Sequence, residues 1–385
     1  MNSLMNVSLV SDTAVWVIRI IAIVAFIALI VKWGALARNT IVRVILRVIS
    51  LVVVTVLAAL ALAAPINAEY GWYSTIADFF PGSATSNSSS TGASATQALG
   101  NNHSSSPLIT GARNRPAVNL SPRPTKTNSG AGFQDFTVAG QRSGVTSKVT
   151  VWFPKEYFED PNATFPVIEA FHGIKPAPYA YFNVVQIDKI ITDLVAQGKM
   201  KPSIVLVPHW AVGGKDNECV NSAAGGNVET WISEDIPAWA YNTFRVTPGR
   251  DSFSAYGLSA GGYCASMVSM LHPDVFATGI SLGGYWAPLF DQPFVPFKPG
   301  SEQWKRYDLI NVEKKSAPPV ALWTLYGAGD NLALAGTAEF AKAVRPPSSF
   351  TETKLSQGGH NTSVWTPHVP ASLEWLAEHS PAFKK

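Results

Sequence analysis

The sequence predicts an α/β domain with a mostly parallel central sheet, preceded by a two-helix transmembrane hairpin and a disordered linker. Strand-like and helical segments alternate from about residue 147 onward, which is typical of a parallel sheet covered by helices on both faces. Two long apolar segments precede them, and a Ser-, Thr-, Asn- and Gly-rich stretch that cannot bury a core lies between. We therefore divide the chain into a hairpin (1–75), a linker (76–131) and a folded domain (132–385).

The hairpin rests on two apolar segments, residues 14–31 and 48–64, each long enough as a helix to cross or nearly cross a bilayer. The basic residues between them are Lys32, Arg38, Arg43 and Arg47. By the positive-inside rule the connecting loop is cytoplasmic, so the N-terminus and the folded domain are expected on the extracytoplasmic side of the cell membrane. A cleaved signal peptide ending near residue 64 is the alternative. The basic loop between the two apolar segments favours a retained hairpin, in which residues 14–64 would contact membrane lipid.

The elements of the folded domain follow from runs of apolar residues and from turn residues. The predicted strands are 147–154, 165–173, 203–210, 251–257, 276–284, 319–327 and 349–356. The predicted helices are 181–198, 229–244, 260–271, 332–344 and 370–379. The pattern shows no internal repeat, so these residues are expected to form a single domain.

Ser259 lies in the sequence GLSAG, between a predicted strand and a predicted helix. This context is that of a nucleophile elbow, in which a sharp turn presents the serine and the flanking glycines avoid collisions. The Ala260 N–H at the start of the helix is expected to stabilise the oxyanion of a tetrahedral intermediate. The alternative is a chance G-x-S-x-G match in a Gly-rich chain, and chance matches at a strand-to-helix junction are rare.

A serine hydroxyl needs a base, and in this architecture the partners follow in the order Ser, acid, His. Of the seven histidines, three precede the serine, one ends the helix of the nucleophile and two belong to the last helical region; in that order they are His103, His172, His209, His272, His368 and His379. His360, in a Gly-flanked loop after the last strand, remains as the predicted base.

Asp330 follows the strand before His360 and is the predicted acid. A helix N-cap is its alternative role, and Glu339 is the fallback acid. The second oxyanion donor is expected to be the N–H of Ile174, after a turn at Gly173; an ordinary glycine turn is the alternative.

The two cysteines, Cys219 and Cys264, are expected to form a disulfide. Cys264 lies five residues after Ser259, and Cys219 lies in a long loop expected at the same edge of the sheet. Outside the cytoplasm such a bond would persist and would hold the loop over the site; two unrelated buried thiols are the alternative. The segment 285–304 is rich in aromatic residues and prolines, and it is expected either to wall an acyl-chain site or to pack on the core.

From about residue 132 to 380 the chain resembles the esterase D-type branch of the α/β-hydrolases, which includes S-formylglutathione hydrolases, feruloyl esterases and mycolyltransferases. The matching pieces are FHGI at 171–174, GLSAGG at 257–262, YGAGD at 326–330 and GGHNTSVW at 358–365. The resemblance implies acyl-ester chemistry through an acyl-serine. Mycolyltransferases use Glu as the acid, where this chain offers Asp330, and this difference favours a hydrolase.

These observations predict a membrane-tethered, extracytoplasmic serine esterase. A mycolyltransferase-like acyltransferase acting on envelope sugars is the first alternative, and an inactive envelope scaffold is the second. The expected partner is an acyl ester, with an envelope lipid or glycan as a candidate, and Lys175, Trp286 and Trp365 are expected to contact it. The sequence predicts no metal site and no cofactor, and the folded domain shows no basic run for nucleic acid.

Overall fold

The computed structural model describes residues 7–9, 11–35, 39–70, 73, 75–76, 86–100, 104–110, 133–174, 178–290 and 293–385. The chain divides into two compact units. The first comprises Met1–Thr85, Gly327–Leu332 and Ser356–Val364, and the second comprises Ser86–Tyr326, Ala333–Leu355 and Trp365–Lys385.

The first unit contains two long helices, α1 (Asp12–Lys32) and α2 (Thr40–Tyr70), which pack along each other. The side chain of Ser11 caps α1 by accepting a hydrogen bond from the Ala14 N–H at 3.2 Å. Both helices are long and apolar enough to cross a membrane, and very few of their side chains are buried. The two apolar helices predicted from the sequence are therefore present, and each is longer than predicted.

The second unit is built on a central sheet. Its strands in chain order are β1 (Ser86–Gly92), β2 (Phe133–Ala139), β3 (Thr146–Trp152), β4 (Val167–Phe171), β5 (Ile204–Pro208), β8 (Phe253–Leu258), β9 (Thr278–Leu282), β10 (Ala321–Gly327) and β11 (Ser349–Leu355). A separate short hairpin contains β6 (Asn221–Ser222) and β7 (Gly226–Asn227). Among the described residues the sheet has nine strands in the order β1-β11-β10-β9-β8-β4-β5-β3-β2.

The centre of the sheet is parallel, and its edges are not. Strands β5, β4, β8, β9 and β10 pair in parallel, whereas β2 with β3, β3 with β5 and β1 with β11 pair antiparallel. This arrangement confirms the predicted mostly parallel α/β sheet. The strand β2 was not expected from the sequence, since its polar residues at 134, 135 and 137 interrupt the apolar pattern.

The remaining helices follow the strands. They are α3 (Ala95–Gly100), α4 (Pro107–Thr110), α5 (Glu156–Glu159), α6 (Ala180–Asn183), α7 (Ile187–Ala196), α8 (Val228–Thr230), α9 (Ile236–Thr243), α10 (Ala260–Leu271), α11 (Glu302–Arg306), α12 (Leu309–Ser316), α13 (Asn331–Ala343), α14 (Thr362–Trp365) and α15 (Val369–His379). Single turns of 3₁₀-helix occur at Val212–Gly214, Arg250–Ser252 and Thr366–His368, and a π-turn occurs at Trp231–Asp235. The predicted helix 181–198 is split into α6 and α7 because Gln186 adopts a left-handed backbone, with φ 56°.

Helices cover both faces of the central strands. Ala255 of β8 pairs with Gly279 of β9, and a Cβ at Gly279 would lie 2.8 Å from the Ser269 hydroxyl of α10. The next residue of β8, Tyr256, points to the opposite face, where its hydroxyl lies 2.9 Å from that of Ser372 in α15. The helix α10, which begins at the predicted elbow, is therefore packed directly on the sheet.

Part of the predicted linker is ordered, which differs from the expectation of a flexible 76–131. β1 pairs with β11 from Ser86 opposite Leu355 to Gly92 opposite Ser349, and Ile109 of α4 is fully buried. Composition could not reveal this strand, since its side chains are all exposed and the pairing is made by the backbone. The predicted linker residues 77–85, 101–103 and 111–131 lie outside the described part of the chain.

Candidate active site

Ser259 occupies a sharp turn between β8 and α10. Its backbone has φ 56° and ψ −122°, a conformation that is rare and costly for a residue with a side chain. The Ser259 N–H donates to the carbonyl oxygen of Leu282 at 2.9 Å, which ties the turn to the end of β9. Strain of this kind persists only where the surrounding structure fixes it, and such positions cluster at active sites.

The glycines of the motif allow the backbone to pass closely around the serine. A Cβ added at Gly257 would overlap the carbonyl oxygen of Gly261. A Cβ at Gly261 would overlap the carbonyl oxygen of Phe171, at the end of β4. Both obstacles are backbone atoms that cannot rotate away, so the two glycines are required by space.

The loop after β4 lies against the serine. A Cβ on Gly173 would lie 3.3 Å from the Ser259 Cβ and 3.9 Å from its Oγ. The next residue, Ile174, is 45% exposed, and Ala260 is buried at the first position of α10. The structure thus brings the loop expected to carry one oxyanion donor next to the residue expected to be the nucleophile.

His172 and Trp210 brace this loop. The His172 ring is 2% exposed and stacks on the Trp210 indole, with ring centroids 4.9 Å apart. The indole N–H of Trp210 donates to the carbonyl oxygen of His172 at 3.0 Å, and the His172 Nδ1 lies 2.8 Å from the carbonyl oxygen of Gly173. Burial, only partly offset by the hydrogen bond to Gly173, lowers the pKa of His172 to about 4.

Asp330 and His360 form a buried pair in the first unit. Both carboxylate oxygens of Asp330 lie 3.0 Å from the Nδ1 of His360, and the two residues are 0% and 6% exposed. Since a carboxylate can only accept, Nδ1 carries the proton, and Nε2 is the basic nitrogen when the ring is neutral. This is the arrangement that a general base and its orienting acid require.

The loops that carry this pair are held to each other by backbone contacts. The Gly329 N–H donates to the carbonyl oxygen of Gly358 at 2.9 Å. A Cβ at Gly327 would overlap the same carbonyl oxygen. A glycine is therefore needed at the end of β10 for the loop of His360 to approach.

His272, whose place at the end of the nucleophile's helix is unsuited to a base, contacts a different carboxylate. Its Nε2 lies 2.9 Å from Glu229, which also accepts hydrogen bonds from Arg306 and from the Tyr307 hydroxyl, both at 2.6 Å. Burial would raise the pKa of Glu229, but the hydrogen bonds from His272 and Tyr307 and the charge of Arg306 outweigh it and lower the pKa to about 2. Glu229 is thus a buried, ionised centre that fixes His272.

Cys219 and Cys264 form the expected disulfide, with S–S 2.06 Å and Cα atoms 5.7 Å apart. The bond connects the loop after β5 to α10, five residues beyond Ser259. The loop reaches this point through left-handed backbone at Glu218 and Cys219, with φ 49° and 58°. It is therefore fixed to the helix of the candidate nucleophile by a covalent bond.

The residues expected to contact substrate have different outcomes. Trp286 is 3% exposed and stacks on Phe340, with ring centroids 3.6 Å apart, so it is a core side chain rather than the free wall of a site. At this position the aromatic segment 285–304 therefore packs on the core, which was the alternative to walling an acyl-chain site. Trp365 is also buried, against Gly283, and Lys175 lies outside the described residues.

Comparison with known proteins identifies the family. A family model named Esterase and described as "Putative esterase" matches residues 141–376, which is more than half of the chain. The matched range includes Ser259, Asp330 and His360. The chain belongs to this esterase family. The description of this family agrees with the predicted class of ester-cleaving enzyme.

Solved structures with the same fold include three hydrolases. A ferulic acid esterase is 19% identical, with a TM-score of 0.55, and the match covers 64% of this esterase and 97% of that chain. An S-formylglutathione hydrolase from Agrobacterium tumefaciens is 16% identical, with a TM-score of 0.55 and coverage of 64% and 95%. The fluorophosphonate-binding serine hydrolase F of Staphylococcus aureus is 17% identical, with a TM-score of 0.52 and coverage of 64% and 98%. These likenesses confirm the α/β-hydrolase fold.

A relative by sequence is an uncharacterized protein of Corynebacterium glutamicum, 22% identical over 239 residues. The match covers 59% of this esterase and 56% of the relative, so the chain spans little more than half the length of the curated relative that it matches.

Sequence reasoning missed His172 as a residue of interest because it precedes the serine in the chain. That order excludes a histidine as the base, but it does not exclude a role in shaping the backbone beside the serine. The available signal was its position in FHGI, directly before the loop expected to supply an oxyanion donor.

Proposed function

We propose that this chain is a membrane-tethered serine esterase that acts outside the cytoplasm and cleaves acyl esters through an acyl-serine intermediate. The observation that carries the proposal is the left-handed backbone of Ser259 at the junction of β8 and α10. If this turn were needed only for packing, a glycine would adopt its backbone conformation at lower cost than a serine. The same strand-to-helix turn is the geometry that exposes a serine nucleophile.

The proposed reaction has two halves. The Ser259 Oγ attacks the ester carbonyl while His360 Nε2 takes the hydroxyl proton, and Asp330 holds the Nδ1 proton and stabilises the imidazolium. The N–H groups of Ala260 and Ile174 stabilise the oxyanion. His360 then gives its proton to the leaving alcohol, which leaves an acyl-serine. In the second half His360 deprotonates a water that attacks the acyl group, and Ser259 is released with its proton restored.

Acyl transfer shares the first half of this reaction. If a sugar hydroxyl takes the place of water, the product is an acyl sugar instead of a free acid. Hydrolysis is the proposed outcome, and an envelope lipid or glycan is the proposed source of the ester or of the competing hydroxyl. Lys175 and Trp365 remain proposed substrate contacts.

The proposed location rests on two features. Residues 1–75 would form a hairpin with its basic loop in the cytoplasm, and the linker predicted from the sequence would connect this hairpin to the domain 132–385. The disulfide between Cys219 and Cys264 supports an extracytoplasmic site, because cytoplasmic thiols are kept reduced.

The mechanism is tested on the full chain in detergent with a fluorophosphonate probe and a series of short and long acyl esters. We expect labelling and ester cleavage by the wild type, and loss of both in Ser259→Ala. A matched control is Ser254→Ala, which removes a buried hydroxyl on the strand β8 that leads to Ser259 and should leave both intact. Equal labelling of wild type and Ser259→Ala would refute the mechanism. The ratio of free acid to acyl sugar in the presence of trehalose separates hydrolysis from transfer.

The location is tested by adding protease to intact spheroplasts that contain the full chain. We expect digestion of the folded domain without lysis, with a cytoplasmic protein surviving as a control. Protection of the domain until the membrane is opened would contradict the proposed topology.

A further inference from the structure

We propose that His172 is a positioning residue, whose Nδ1–H holds the carbonyl oxygen of Gly173 and thereby orients the Ile174 N–H as an oxyanion donor. This inference rests on the proposed function, since it concerns a group that acts on the oxyanion of that reaction. His172 itself does not touch the substrate in this proposal.

The direction of the hydrogen bond fixes the tautomer of His172. Its Nδ1 lies 2.8 Å from the Gly173 carbonyl oxygen, which can only accept, so Nδ1 is the donor. The Nε2 is buried and has no hydrogen-bond partner among the described residues. A protonated ring would bury a second, unsatisfied N–H, so the ring is held neutral with its proton on Nδ1.

This bond controls the N–H of the following residue. The atoms of the peptide that joins Gly173 to Ile174 lie in one plane, and in a trans peptide the C=O and N–H bonds point in opposite directions. A Gly173 carbonyl held by the imidazole therefore turns the Ile174 N–H away from His172. Gly173 lies against Ser259, and glycine would otherwise allow this peptide to rotate with little penalty.

The imidazole can serve as a clamp because it is itself fixed. Trp210 stacks on its ring and donates its indole N–H to the His172 carbonyl oxygen. At the preceding residue, the Phe171 carbonyl oxygen accepts the Tyr181 hydroxyl at 2.9 Å. The two peptide groups that precede Gly173 are thus held by hydrogen bonds, and the bond from His172 also holds the next peptide, which carries the Ile174 N–H. An aromatic side chain without an N–H could stack on Trp210 but could not donate a hydrogen bond to Gly173.

The test compares His172→Phe with His172→Asn in the full chain, by steady-state cleavage of a short acyl ester. Phenylalanine keeps the stack and loses the donor, whereas an asparagine amide keeps an N–H near the position of Nδ1. Removing an oxyanion donor costs about 10²–10³ in kcat. Because His172 only orients such a donor, we expect kcat to fall about 10- to 100-fold in His172→Phe with KM within about threefold. His172→Asn should recover most of the lost kcat.

The matched control is His209→Phe. His209 is the neighbour of Trp210 in the chain, and its Nε2 lies 2.9 Å from Thr150, so this variant removes a nearby histidine without touching Gly173. We expect kcat of His209→Phe to stay close to the wild-type value. If His172→Phe does not fold, His172→Leu replaces it in the comparison with His172→Asn. Leucine and asparagine have similar shapes, and only asparagine can donate a hydrogen bond to Gly173, so a higher kcat in the Asn variant is the expected result.

The outcomes separate this inference from the proposed function. An active Ser259→Ala variant would overturn the proposed function and this inference with it. An inactive Ser259→Ala together with a wild-type kcat in a folded His172→Phe would overturn the role of His172 alone. A His172→Phe variant that changes only KM, or an Asn variant no better than the Phe or Leu variant, would also overturn it.

Discussion

The candidate nucleophile and the candidate acid–base pair are held by different kinds of interaction. Ser259 is positioned by its own strained backbone and by two glycines that leave no room for a Cβ. Asp330 and His360 are positioned by hydrogen bonds between their side chains. The first arrangement depends on shape and the second on charge, so the two regions should respond differently to substitution.

The contrast extends to buried carboxyl groups. Asp330 is fully buried and has the His360 ring as its partner. Glu169, on the strand β4 that leads to the Gly173 loop, is also fully buried, but neither of its carboxylate oxygens has a hydrogen-bond partner among the described residues. A buried carboxyl group therefore has an imidazole as its hydrogen-bond partner in one region and has no such partner among the described residues in the other.

The largest effect is expected from removing charge without changing shape in the acid–base region. Asp330→Asn should lower kcat by about 10³–10⁴, because an amide no longer favours the Nδ1–H tautomer and no longer stabilises the imidazolium. The melting temperature should change much less than the activity. Steady-state kinetics and thermal denaturation of the same preparation check both.

The control for this prediction is Glu339→Gln. Glu339 was the fallback acid, and its exposed carboxylate lies 2.8 Å from the Lys314 ammonium. We expect its removal to leave kcat unchanged. A larger loss in Glu339→Gln than in Asp330→Asn would reverse the assignment of the acid.

The next largest effect is expected from changing shape without changing charge in the nucleophile region. In Gly261→Ala the added methyl group would overlap the carbonyl oxygen of Phe171. The main chain must shift, so we expect about 3 kcal/mol or more of destabilisation, together with loss of fluorophosphonate labelling. Gly100→Ala, where an added Cβ meets no atom of the described residues within 4 Å, should be tolerated. Wild-type stability in Gly261→Ala would mean that shape does not control this region.

These differences also explain what the sequence could predict. The elbow was predictable because its glycines, its serine and the flanking strand and helix are contiguous in the chain. Asp330 and His360 were predicted as acid and base from chain order, since each follows a predicted strand of the sheet. The hydrogen bond between Asp330 and His360 could not be predicted from the sequence and is seen only in the structure.

Features that depend on distant partners were not predictable. β1 is a run of small polar residues with exposed side chains, and its strand conformation comes from backbone pairing with β11. Trp286 was expected at the site because its segment is aromatic, but Phe340, on a helix more than fifty residues later, stacks on its ring in the core. The clamp by His172 depends on Trp210, which lies on the loop after β5.

A smaller effect is expected from the disulfide, which reinforces the nucleophile region covalently. In the double variant Cys219→Ser, Cys264→Ser the unfolded chain regains the freedom of a closed loop with a sequence separation of 45. The expected loss is about 2–4 kcal/mol of stability, with kcat changed less than in Asp330→Asn. Denaturant unfolding with and without reductant measures it. An unchanged midpoint on reduction would show that the loop after β5 does not need the bond.

The smallest effect is expected at Glu169, whose carboxyl group has a pKa raised well above the usual value by burial. The folded state therefore keeps the proton at pH values where the unfolded state loses it, and stability that is fully present below the unfolded pKa of 4.5 falls as the pH rises toward the folded pKa. Gln stays neutral in both states. The free energy of unfolding of Glu169→Gln, relative to that of the wild type, should therefore rise by about 1 kcal/mol as the pH goes from 5 to 6. Parallel curves for Glu169→Gln and the wild type would mean that Glu169 is ionised in the folded state, and the contrast with Asp330 would then be lost.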